Sequence, residues 1–232
     1  EVGGVVTGGI TQNTSTTDFV CPSTFTVPAQ LSNLPLQSNV YLTGTQTFTC
    51  NAPMRINDIE LHGDSKFIMQ PGCQLLLGPG SIPLKVYDNA ILEVGGNNQI
   101  WIPNGVFTTY SNKGIQTLTQ KPRDLQIFAY GSSSYSATVN QKDPFYGVVY
   151  NHTSGVAFQP KWNAGTYPWP ADFYGAMIAC SGTGGGGIVF GRGNIARLHY
   201  DQALLNTVFL DGSGRFRAAG TWQVLSASGE GI

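Results

Sequence analysis

The chain has 232 residues, of which 12 are basic and 13 acidic, for a net charge of −1 with only 11% charged side chains. That balance excludes the basic stripe of a dedicated nucleic-acid surface, and no run of about 20 apolar residues is present to span a bilayer. With Gly at 30 positions and few windows of helical apolar spacing, the composition indicates one all-β domain rich in turns.

Residues 1–20 are Gly-, Thr- and Ser-rich and read as a leader strand; because the chain opens at Glu1, any signal or membrane anchor is expected outside it. From Cys21 to about Leu42, Pro22, Pro28 and Pro35 bar a continuous helix, so residues 1–53 are read as leader and cap. Val40–Cys50 suggests a strand, a turn and a second strand, and regular coils follow from about Met54 to Phe107. Within them Ile59–Met69 aligns without a gap on Leu84–Val94, an offset of 25 residues from Ile59 to Leu84. Both copies alternate apolar and polar residues, break at a corner of small polar residues and resume the alternation. Pro71-Gly72 and Gly78-Pro79-Gly80 mark further corners.

The polar stretch 108–123 reads as an excursion from the stack, and Leu125–Gly131 as a return to strand. Phe145-Tyr146-Gly147-Val148-Val149 then recurs as Phe173-Tyr174-Gly175-Ala176-Met177, an offset of 28 from Phe145 to Phe173, with an insertion at about 159–171 between them. Ile188–Leu198 reads as a third version of Ile59–Met69, with one extra residue at the corner. His199–Leu205 is the candidate short helix, residues up to 225 close the coil stack, and 226–232 form a tail. The fold implied is a single-stranded parallel β-solenoid over 54–225. Period 2 gives each strand one inward apolar row, Gly, Asn and Asp turn the corners, and one coil cannot bury its inner row without a neighbour.

Four cysteines, Cys21, Cys50, Cys73 and Cys180, lack the CxxC spacing of a zinc site. An even number in a weakly charged β chain points to disulfides and an oxidising compartment. The preferred pairing is Cys21–Cys50 with Cys73–Cys180.

The order of phrases INDIELHGDSKFIM, LKVYDNAILEV, DLQIFAYG, two FYG coils, HYDQAL and TWQVLS resembles the C-terminal domain of PilX-like type IV pilus-assembly proteins over about residues 54–225. The resemblance implies a non-enzymatic, exported component of a pilus-like machine, a minor pilin or assembly factor with adhesive capacity, whose partners are other pilins or pilus-tip proteins. The insertions at 108–123 and 159–171 and the missing N-terminal anchor helix depart from the family pattern.

Chemistry-bearing residues are few. His199-Tyr200-Asp201 pairs a base with a carboxylate, but no marked nucleophile accompanies them; a structural role is expected, with Asp201 capping the helix and His199 bonding a turn. His62 and Asp64 flank a corner, yet the next coil has Tyr87 and Asn89 there and no dense acidic group for calcium-assisted lyase chemistry. Lys161, Trp162, Tyr167 and Trp169 stand between Pro160, Pro168 and Pro170, either as a lid folded on the stack or as a binding loop for a surface glycan. Asn13 and Asn151 match the N-glycosylation pattern. No cofactor, metal or catalytic residue is expected, which leaves a carbohydrate-binding or carbohydrate-active β-helix as the alternative to the pilus reading.

Overall fold

The computed structural model describes residues 26–130, 137–158, 171–179, 188–190, 196–199, 204, 208–210 and 215–217. Its strands run parallel in three faces. The first holds eight: β1 (Leu36–Gln37), β4 (Met54–Ile56), β7 (Gln74–Leu77), β10 (Asn98–Ile102), β13 (Leu125–Ala129), β15 (Phe145–Asn151), β17 (Ala171–Ala179) and β19 (Ala196–His199). The second holds seven: β2 (Val40–Leu42), β5 (Ile59–Leu61), β8 (Leu84–Asp88), β11 (Phe107–Ser111), β14 (Ala137–Val139), β16 (Val156–Phe158) and β18 (Ile188–Phe190). The third holds four: β3 (Thr47–Cys50), β6 (Lys66–Met69), β9 (Ile91–Val94) and β12 (Gly114–Thr117). Apart from these, β20 (Val208–Leu210) and β21 (Arg215–Arg217) pair antiparallel. The molecule is a parallel β-solenoid.

Both repeats stand in the register read from the sequence. Ile59 pairs with Leu84 and Leu61 with Val86, while Lys66 pairs with Ile91 and Met69 with Val94. Phe145 lies on Phe173, Tyr146 on Tyr174 and Gly147 on Gly175. Alternate residues of each strand enter one continuous core that includes Leu61, Val86, Ile100, Ile127, Val149 and Phe173. Positive φ falls at one corner in successive coils, at Gly44, Gly63 and Asp88, where Gly and Asp meet it at least steric cost.

Four expectations need correction. Coiling begins at β1, not near Met54, so residues 36–53 belong to the stack rather than to a cap. The supposed excursion at 108–123 supplies β11 and β12, which pair with β8 and β9. Its polarity misleads because the hydroxyls are buried with partners: Ser111 donates to the carbonyls of Asp88 and Ala90, and Thr117 to that of Tyr146. Thr109 accepts from the Asn140 amide. In the third repeat, Ile188–Phe190 does join the second face, but Ala196–His199 joins the first rather than the third. Finally, Cys50 is bonded to Cys73 across 23 residues, which overturns both preferred pairings. The two cysteines are brought together because β3 pairs with β6, Cys50 opposite Met69, and Cys73 lies in the corner that follows β6, whereas sequence spacing carries no such geometry. Cys21 and Cys180 lie outside the described residues.

Among the described residues, the last strand of the third face is β12. Gln141, fully buried, accepts from the Ile115 N–H through Oε1 (3.0 Å) and donates to the Ile115 carbonyl through Nε2 (3.1 Å). One side-chain amide thus performs the pairing of the missing strand, satisfying backbone groups that burial would otherwise orphan.

Outside the first face lies a second apolar layer. Leu76, Trp101, Phe128 and Tyr150 point away from the tube and are buried with Leu31 and Leu204. Leu31 comes from the single-turn helix α1 (Ala29–Ser32), which Pro28 precedes and Pro35 follows, as the prolines require. The expected C-terminal helix is not found at its start, since His199 is the last residue of β19. Of the rest of that segment only Leu204 is described.

Candidate functional site

Two outward rows on the second face gather most of the ionisable side chains near the N-terminal end. The register places Tyr41 over Glu60 and Glu60 over Lys85. One step along the strands, His62 falls over Tyr87, and Tyr87 pairs with Tyr110. The His62 and Tyr87 rings stack at 4.8 Å, and Tyr41 tilts against His62 at 5.5 Å. Tyr41 is 60% and Tyr110 47% exposed. The four rings therefore occupy four successive coils, a strip on the order of 14 Å at the usual strand spacing of about 4.8 Å.

Charges are interleaved with the rings. Lys85 Nζ donates to Glu60 Oε2 (2.9 Å) and Asp58 Oδ2 (3.3 Å), and His62 Nε2 donates to Glu60 Oε1 (2.8 Å). Asp88 Oδ2 accepts from the Gly63 N–H and lies 3.6 Å from His62 Nδ1. The hydrogen bond from His62, then that from Lys85, holds the Glu60 carboxyl below its ordinary range. Burial acts against the Lys85 charge, but its bonds to Glu60 and its attraction to Asp58 prevail and raise its pKa. Burial pushes the Tyr87 hydroxyl up, so it stays neutral.

Cleavage of a glycosidic bond needs a carboxylic acid with a raised pKa to protonate the leaving oxygen, and Glu60 is shifted the other way. Among the described residues no group of three or more His, Cys, Asp or Glu is placed to hold a metal ion.

A second ladder runs along the first face. Tyr146, Tyr174 and His199 stack on consecutive coils at 4.5 and 4.2 Å, within 10° of parallel. His199 bonds Asp172 Oδ1 at 2.7 Å, and Arg197 grips the same carboxylate through Nε and a terminal nitrogen at 2.7 and 2.9 Å. Burial works to raise the Asp172 pKa, but the bonds from Arg197 and His199 outweigh it and the net shift is downward. The partner of His199 is thus Asp172 of the preceding coil, where the sequence suggested a turn.

No protein-family model, curated protein or solved structure matches the chain. Function rests on the site alone.

Of the residues singled out in the sequence, Lys161, Trp162, Tyr167 and Trp169 lie outside the described residues, as do Asn13 and Asp201. Asn151 is fully buried, its amide donating to Ser154 Oγ and the Gly155 carbonyl, so the folded chain does not present it for glycosylation. His62 and Asp64 do stand at a corner, but only His62 is drawn into the strip, by Glu60 and Tyr87. Tyr41, Glu60, Lys85 and Tyr110 were missed. The 25-residue offset held the signal for two of them, because it sets Glu60 opposite Lys85 with opposite charges.

Proposed function

We propose that the chain is an exported, non-enzymatic adhesive rod that holds a surface glycan along the outer strip of its second face. The observation that carries this reading is the four-coil series Tyr41, His62, Tyr87 and Tyr110 with Glu60 and Lys85 beside it. Sugars offer an apolar C–H face to aromatic rings and hydroxyls to carboxylates and ammonium groups. A strip repeating every strand spacing suits a polymer whose sugars repeat at a similar length. The disulfide between Cys50 and Cys73 supports an oxidising location outside the cell, and no helix among the described residues is long and apolar enough to cross a membrane.

The test is glycan-array binding by the full chain beside a Tyr41→Ala/Tyr110→Ala variant. Binding by the parent that falls at least about tenfold in the variant supports the reading; a parent silent on the array overturns it.

A second reading places the rod in a type IV pilus-like machine, as minor pilin or assembly factor with other pilins as partners. It is favoured by the FYG pair and the HYDQAL phrase. Deletion of the gene in its host should reduce piliation or surface attachment, and unchanged pili, twitching and adhesion would remove it.

A further inference from the structure

We infer that the polymer recognised by this strip is a basic one, rich in amino sugars with free amines, and that the strip rejects uronate polymers. The inference rests on the glycan reading above and adds its charge class.

The charges around the aromatic row are unequal. Asp58, Glu60 and Asp88 stand on or beside it, against Lys85. Three carboxylates against one lysine leave an excess of two negative charges. The one lysine within the strip is already committed, its ammonium held by Asp58 and Glu60 together. Asp88 is the carboxylate with freedom to meet a ligand: its side chain is 62% exposed, and it projects beside the His62–Tyr87 stack.

Rings and carboxylates along one row are complementary to an ammonium group in two ways. The faces of Tyr41 and Tyr110 attract a cation through the ring quadrupole, and the carboxylates attract it by charge at a distance within one screening length. A uronate brings its own negative charge into the same field and is repelled. A neutral hexose polymer retains the stacking and loses the ionic part. The spacing of aromatic side chains, one per coil over four coils, favours a sugar polymer over a basic peptide, which has no ring to stack at each step.

The experiment measures binding of four probes to the full chain at low and moderate salt: a glucosamine hexamer, cellohexaose, an oligogalacturonate and polylysine. The glucosamine hexamer should bind about tenfold tighter than cellohexaose at low salt, with the ratio falling as salt rises, and the oligogalacturonate should not bind. Asp88→Asn should bring the ratio toward one. The Asp88 change keeps the fold because Asn tolerates the positive φ of 55° there and can still accept from Gly63. Equal binding of glucosamine and cellohexaose overturns the amine assignment and leaves the glycan reading intact. Binding of polylysine alone overturns both and makes the strip a basic-peptide site, and binding of none of the four overturns the amine assignment, while the glycan reading falls only with a silent array.

Discussion

Among the described glycines, Gly175 is the one at which an added Cβ would meet its nearest neighbour most closely. Its φ of +136° is one that side chains rarely adopt, and a Cβ there would collide with the carbonyl oxygen of Gly147 on the coil below. Gly175→Ala should therefore cost about 2–4 kcal/mol, whereas Gly72→Ala, at φ +80° but facing open space, should cost about 1 kcal/mol. Urea unfolding of both variants checks this, and equal losses would count against the close-approach argument. Gln141→Leu should cost about 2–3 kcal/mol, since it leaves the Ile115 N–H and carbonyl buried without the partners they have now.

Glu60 gives a residue-scale dependence on pH. Its folded pKa lies below the ordinary 4.5, so the stability it contributes is full above about that pH and is lost as pH falls through the folded value. Glu60→Gln should lower Tm at neutral pH, and the gap to the parent should close on acidification below pH 4.5. A gap that stays constant across the acid range would show that His62 and Lys85 do not hold the carboxylate.

At the scale of elements, the disulfide ties the last residue of β3 to the turn before β7, spanning 23 residues. Loop-closure arithmetic gives about 3 kcal/mol for a crosslink of that length. A Cys50→Ala/Cys73→Ala variant should lose about that much in denaturant titration, and a far smaller loss would mean that neighbouring strands alone set the geometry. Which elements were legible follows from what each one buries. The strands of Ile59–Met69, Leu84–Val94 and the FYG pair bury aliphatic and aromatic rows, so period 2 shows plainly in the sequence. Beside Phe107 and Ile115, β11 and β12 bury Thr109, Ser111, Gly114 and Thr117, and hydrogen bonds to backbone groups replace part of the hydrophobic contact. That substitution hid them. The candidate strip was half legible for a related reason: His62 was visible as an unusual corner residue, but its neighbours Tyr41 and Tyr110 come from coils with offsets of 19 (Tyr41 to Glu60) and 23 (Tyr87 to Tyr110), which no fixed repeat predicts. His199 was assigned to a helix because Leu198, Ala203 and Leu205 share helical spacing, and the ladder through Tyr174 prevailed.

For the whole molecule, a stack in which each coil touches only its neighbours should unravel from its ends. The first coil already shows it: Val40, Leu42 and Phe48 are only partly buried, while Leu75, Ile100 and Ile127 are fully so. Hydrogen exchange should accordingly be slowest in β7, β10 and β13 and faster in β1–β3; uniform protection along the axis would contradict a one-dimensional stack. The amide of Gln141 also fixes where the rod can be lengthened. Duplicating residues 59–83 ahead of Leu84 would offer each new strand a docked neighbour on all three faces and should add one step of about 4.8 Å to the axis, readable by small-angle scattering. The same cassette placed after Asn140 would meet a seam that a single side chain has already sealed, so growth of this architecture by tandem duplication is confined to its N-terminal half.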